Sequence, residues 1–259
     1  MFKRLKKAKL NKPLPFVKLI PNFITISALC IGVSSLRFAL ESRWENAVLC
    51  IVIAAFLDGV DGRIARLLGA TSHFGAELDS LCDFVNFGVA PSVIMYCWAL
   101  QYSDHKVFAW SVVLLFILCM AIRLARFNTA LLDPNAKAFS KMFFMGVPAP
   151  LGALLLLTPI MIDFDISDHL NMDFNAKSSS MFLAAYQLVV ALLLPSRIPT
   201  FSFKNLVINP EYLWVCMFVV GLIIINMIIY PWYIFPILAV IYISTIPFSI
   251  AAAKKIRGE

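Results

Sequence analysis

Residues 58–83 read DGVDGRIARLLGATSHFGAELDSLCD, four aspartates in a segment with strongly apolar sequence on either side. On insertion scales each Asp near the centre of a membrane helix costs about 2.5–3.5 kcal/mol, so four left unpaired would oppose folding by roughly 10 kcal/mol. Carboxylates persist in such a place only where something cationic or aqueous compensates them. Asp58 and Asp61 are three residues apart and Asp79 and Asp83 four apart, so on helices each pair occupies one face. Two such faces turned together form an oxygen-rich cage for a hard divalent cation, Mg²⁺ or Mn²⁺. The plain alternative is an acidic cytoplasmic loop, which requires neither helical registry nor the small residues between the carboxylates.

Composition places this segment in a membrane protein. Of 259 residues 61% are hydrophobic, and the mean hydropathy of +0.85 lies well beyond a soluble domain. The fold class expected is all-α, a polytopic bundle of about eight transmembrane helices. Apolar runs of spanning length lie near 20–40, 46–66, 76–100, 107–128, 144–162, 179–195, 211–229 and 231–252. The first is read as an uncleaved helix, since no small-residue cleavage site follows it. An even number of crossings puts both termini on one side. With the N-terminus in the cytoplasm, only Arg37, Arg43, Lys106 and Lys177 of the 22 Lys and Arg residues fall on or near the outer side, as the positive-inside rule demands. The acidic segment then lies at the inner membrane boundary, with Leu67–Phe74 as a cytoplasmic turn.

Other features exclude chemistry. Cys30, Cys50, Cys82, Cys97, Cys119 and Cys216 are scattered without a C-x-x-C pair, so neither a disulfide frame nor a zinc site is expected. His73, His105 and His169 are isolated. The stretch 162–177, IDFDISDHLNMDFNAK, is acidic but lacks EF-hand spacing and reads as a solvated outer loop. The basic, Phe-containing start is expected to lie along the anionic inner leaflet, and no nucleic-acid partner is expected.

The acidic segment fits D-x2-D-G-x2-A-R-x8-G-x3-D-x3-D, filled by Asp58, Asp61, Gly62, Ala65, Arg66, Gly75, Asp79 and Asp83. This resembles the signature of the CDP-alcohol phosphatidyltransferases, membrane enzymes that move a substituted phosphoryl group from a CDP-linked donor to an alcohol. The resemblance implies that Asp58, Asp61 and Asp79 hold metal, that Asp83 contributes to a second metal position and takes the acceptor proton, and that two ions serve each site. It also implies that Gly62, Arg66 and Gly75 meet the nucleotide and diphosphate, with Asn22 and Thr25 approaching from the first helix. For Gly62 and Gly75 close helix packing is the alternative, and for Asn22 and Thr25 helix capping after Pro21.

Within the family, FVNFGVAPS at 84–92, PNFIT at 21–25, RLARFN at 123–128, FMGVPAP at 144–150 and SRIPTFSFK at 196–204 are similar to the serine-accepting branch. Phospholipid biosynthesis is thereby implied: CDP-diacylglycerol and L-serine as substrates, CMP as a product, and a homodimer in the cell membrane. Arg123, Arg126, Asn86 and Lys204 become candidates for the serine carboxylate or a phosphate, against snorkelling to lipid phosphates for the arginines. The organisation expected is a basic interfacial segment (1–17), a catalytic core (18–205) and two further helices with a basic tail (206–259). Rival readings are a relative accepting glycerol phosphate, inositol phosphate or choline, and a cation transporter.

Overall fold

The computed structural model describes residues 16–132, 143–170, 179–196, 199–201 and 210–257. Most of the basic N-terminal segment, Asp173, Lys177, Arg197 and Lys204 lie outside them. After a short 3-10 turn the chain forms α1 (Ile20–Leu40), α2 (Trp44–Leu67), α3 (His73–Asp83), a π-helical segment (Phe84–Val89) and α4 (Ala90–Trp98). There follow α5 (Lys106–Leu132), β1 (Phe143–Met145), α6 (Ala149–Leu170), α7 (Ser180–Leu193), β2 (Pro199–Phe201), α8 (Leu213–Ile229) and α9 (Pro231–Arg257). The chain is thus a helical membrane bundle. Three stretches, Val17–Leu40, His73–Trp98 and Lys106–Ala130, are long and apolar enough to cross a bilayer, and shorter apolar helices accompany them.

The close approach of α1 follows from its inward face. Pro21, Thr25, Ala28, Gly32, Ser35 and Ala39 recur every three or four residues and are all buried, so α1 can nest against α2, α3 and α4. Its outward residues Phe23, Ile26 and Val33 are exposed and apolar, as a lipid-facing surface requires. On α2 the inward row is Ala47, Ile51 and Ala54, and the same row continues through Asp58 to Asp61. The carboxylates therefore point where the apolar core points. Behind them, Ile51, Phe87, Ile94, Phe116, Met120 and Leu156 are among the fully buried side chains of that core.

Two local devices set the turn that joins the acidic helices. Gly69 takes a left-handed conformation (φ +56°) after α2. Ala70 N–H donates to Ala65 O at 2.9 Å and Gly69 N–H to Arg66 O at 3.3 Å, a Schellman closure that ends the helix cleanly. Ser72 then caps α3, its Oγ accepting from Gly75 N–H at 3.0 Å.

Three features depart from the sequence-based expectation. The third span is interrupted by the π-helical segment directly after Asp83, which adds a residue to the turn and leaves Asn86, Phe87 and Gly88 all buried. The acidic stretch expected to be a loop from 162 is helical through Leu170, since a helix satisfies its own backbone hydrogen bonds whatever the polarity of its side chains. Finally, β1 and β2 pair antiparallel, Phe143 opposite Phe201 and Met145 opposite Pro199, tying the entrance of α6 to the exit of α7. Gly146 beside this ribbon has φ +78°, and a Cβ there would lie 2.7 Å from Leu194 O. Only glycine fits.

Candidate active site

Chain direction brings seven element ends to one end of the bundle: the starts of α1, α3 and α6, the ends of α2, α5 and α7, and the β ribbon. The charged and polar side chains that the sequence singles out collect there. One carboxylate oxygen each from Asp58, Asp61 and Asp79 lies within 4.8 Å of the others. Asp61 is buried at 3% exposure, while Asp58 and Asp79 are half-buried. Asp83, one turn deeper on α3, sits beside the Asp58 carboxyl, so all four acids form one cluster across the α2–α3 interface.

Like charges do not gather in this way unaided. Two unit charges about 5 Å apart at an effective dielectric of 20 repel by roughly 3 kcal/mol. Among the described residues no Lys or Arg forms an ion pair with any of the four aspartates, the ion pairs being Arg37–Glu41 and Arg43–Glu41 at the other end. An all-oxygen donor set with this much charge matches a hard divalent cation. The residues present fit the metal.

The surrounding side chains divide into those that hold the acids and those that leave room. Thr25 Oγ1 lies 2.6 Å from Asp61 Oδ2 and 3.0 Å from Pro21 O. A hydroxyl has one proton, and at 2.6 Å from a carboxylate oxygen that proton must lie between them. Thr25, expected from the resemblance to meet the nucleotide, is thus placed as a donor to a candidate metal ligand. On α3, Ser80 stands between Asp79 and Asp83 and is hydrogen-bonded to Asn128 of α5, Nδ2 to Oγ at 2.9 Å. Sequence reasoning missed this pair. The signal was present, since Asn128 closes the RLARFN stretch and Ser80 is a hydroxyl between two acids.

Gly75 packs close to α1, where a Cβ would lie 3.1 Å from Asn22 Oδ1 and 3.1 Å from Ser72 Oγ. Gly62 is different. It is exposed, and no protein atom lies within 4 Å of where its Cβ would be. Arg66, one turn on, is likewise exposed, so this flank of α2 is open next to the acids.

Arg123 and Arg126 of α5 are spent differently. Arg126 donates through Nη1 to the Pro195 carbonyl at the end of α7. Arg123 donates through Nε to Val147 O at 2.6 Å, while its Nη1 is buried without a hydrogen-bond partner. Its charge faces Asp83 and Asp58. Asn86, 1% exposed, lies against α1, its side-chain oxygen occupying the notch that Gly32 leaves by having no Cβ. The structure therefore gathers Asp58, Asp61, Asp79, Asp83, Asn22, Thr25, Gly75 and Arg123, and it directs Asn86 to the α1 interface.

An apolar helical bundle with a carboxylate cluster suited to a hard cation at one end defines the class. Comparison with known families goes further: the CDP-alcohol phosphatidyltransferase profile matches residues 18–195, and the CDP-alcohol phosphatidyltransferase 2 profile matches residues 211–247. The chain belongs to the CDP-alcohol phosphatidyltransferase family. It is 36% identical over 236 residues to the CDP-diacylglycerol–serine O-phosphatidyltransferase of Mycobacterium leprae, a match covering 90% of this chain and 75% of that one. With the enzyme of the same name from Mycobacterium tuberculosis it shares 33% identity over 238 residues, 92% of this chain and 80% of the other. A Helicobacter pylori protein, again of that name, is 39% identical over 153 residues, 58% of this chain and 61% of its own length. Members of the family use divalent metals.

Proposed function

We propose that this protein is a phosphatidylserine synthase, transferring the phosphatidyl group of CDP-diacylglycerol to the hydroxyl of L-serine with release of CMP. The observation that carries the reaction class is the convergence of Asp58, Asp61 and Asp79 from two helices at one end of the bundle, in a chain of this family. Serine as acceptor is supported by relatives named for it across most of the chain.

In this reading Asp58, Asp61 and Asp79 would hold one divalent cation, Mg²⁺ or Mn²⁺, and Asp83 would help hold a second. A divalent cation held by these carboxylates would supply positive charge to the diphosphate and to the CMP leaving group. The chain's own residues do the rest. Arg66 and the open backbone at Gly62 receive the nucleotide diphosphate. Asp83 accepts the proton of the serine hydroxyl as that oxygen bonds to the phosphatidyl phosphorus and the bond to the CMP phosphate breaks. Arg123, with an unmatched buried N–H beside Asp83, receives the serine carboxylate.

The distribution of Lys and Arg along the sequence supports a site on the cytoplasmic side of the cell membrane, with both termini there. At that depth the donor's acyl chains stay in lipid while its head group and serine meet in water. The homodimer implied by the resemblance belongs to the same proposal, and cross-linking in membranes checks it.

The test is a panel. Purified protein in detergent receives CDP-diacylglycerol, Mg²⁺ or Mn²⁺, and labelled serine, glycerol phosphate, inositol phosphate or choline. Serine-dependent CMP release is expected. Release with only another alcohol would move the acceptor assignment, and ion flux without CMP release would replace the transferase with a transporter.

A further inference from the structure

Three side chains near the end of α5 each reach a different element at the site end of the bundle. Arg123 Nε donates to Val147 O at 2.6 Å, at the entrance of α6. Arg126 donates to Pro195 O, just past α7. Asn128 Nδ2 donates to Ser80 Oγ of α3 at 2.9 Å. The RLARFN stretch at 123–128 thus makes the end of α5 a hub, and its third tie reaches the helix that bears Asp79 and Asp83. That helix needs one. It has 11 residues, of which Cys82 alone is buried, so packing does little to fix its rotation about its own axis. The Ser72 cap closes one end, but the other runs straight into the π-helical segment, whose wider turn departs from the regular ladder.

Around the axis of α3, Ser80 lies roughly 100° from Asp79 and about 60° from Asp83, on the flank beside the acids. Its hydroxyl accepts from Asn128 and keeps its own proton for Ala76 O at 3.0 Å, nearer than Asn128 Oδ1 at 3.2 Å. Both of its bonds are therefore made, and a rotation that carried the carboxylates away from α2 would break the one to Asn128. We infer that Asn128 and Ser80 are a positioning pair, a hydrogen bond from α5 that fixes the rotation of α3 and so holds Asp79 and Asp83 against the acids of α2. The pair acts through the two aspartates and not on substrate. This rests on the divalent-metal reading of the acid cluster. Partners that orient metal ligands change metal affinity by about 10–100-fold when removed, and a pair acting through a helix belongs at the lower end.

The experiment compares wild-type protein with Ser80→Ala, Asn128→Leu and the double variant. Mn²⁺ binding is followed by electron paramagnetic resonance of the free ion, beside serine-dependent CMP release at one subsaturating Mn²⁺ concentration. Alanine is a better helix former than serine, so Ser80→Ala removes the bond without weakening α3 itself and decides the matter even if Asn128→Leu fails to fold. Each single variant should bind Mn²⁺ about tenfold more weakly and release CMP about tenfold more slowly. The double variant should be no weaker than the worse single one, since the two residues share one bond. Ser80→Thr, which keeps the hydroxyl, should restore most of the Mn²⁺ binding. Wild-type Mn²⁺ binding in either folded single variant, losses that multiply in the double, or Ser80→Thr as weak as Ser80→Ala overturns the pairing. Wild-type protein that binds no Mn²⁺ overturns instead the metal reading on which it rests.

Discussion

Replacing Thr25 by valine tests how the site holds its acids. The hydroxyl lies 2.6 Å from Asp61 Oδ2, and the two residues are only 6% and 3% exposed. Valine keeps the β-branch and the volume, and no bulk water is at hand to replace the lost donor. A hydrogen bond to an ionised group contributes about 1.5–3 kcal/mol, and partners that orient metal ligands typically change metal affinity by about 10–100-fold when removed. Thr25→Val should therefore raise the Mn²⁺ concentration for half-maximal CMP release by about 10–100-fold, with maximal rate largely regained at high metal. Thr25→Ser, which retains the donor, should titrate close to wild type. A valine variant with the wild-type metal dependence, or a serine variant as damaged as the valine one, would show that the Thr25 hydroxyl does not hold Asp61 for metal.

Other substitutions probe separate links. Asp83→Asn should abolish serine-dependent CMP release while leaving expression and nucleotide binding in place; undiminished turnover would remove Asp83 as proton acceptor. At Gly62 an added methyl meets no protein atom, and alanine in a helix is favoured over glycine by about 1 kcal/mol. Gly62→Ala should hold or raise thermal stability while raising the KM for CDP-diacylglycerol, and an unchanged KM would show that the flank is not where the donor binds. Gln187 of α7 is fully buried with neither amide atom hydrogen-bonded. Relieving that burial in Gln187→Leu should stabilise the protein by about 1–3 kcal/mol without altering activity, as thermal denaturation in detergent would record.

The parts of this architecture that depend on local spacing were legible beforehand. Apolar runs of about 20 residues mark helices, and acids three or four apart share a face whichever helix they meet. That is why the observed spans fall close to their expected places, and why Asp58 and Asp61 turn inward together. Partnerships across the bundle were not legible. Thr25 and Asp61 are 36 residues apart, and Ser80 and Asn128 are 48 apart, so their meeting depends on how helices pack. The π-helical segment was equally hidden. FVNFGV suits an α-helix, and what accompanies its wider turn is tertiary: Asn86 in the Gly32 notch and Gly88 against Met120. The helical extension to Leu170 was missed because polarity marks where a helix leaves lipid, not where it ends.

Binding of divalent cations by the acids of α2 and α3 underlies every step proposed for this site. Titration of purified protein with Mn²⁺, followed by electron paramagnetic resonance of the free ion, measures it without reference to turnover. The wild type should bind Mn²⁺ saturably and release it to excess Mg²⁺, while protein with Asp58, Asp61 and Asp79 all changed to Asn should lose that binding and stay folded. Equal Mn²⁺ binding by the two proteins would contradict the account.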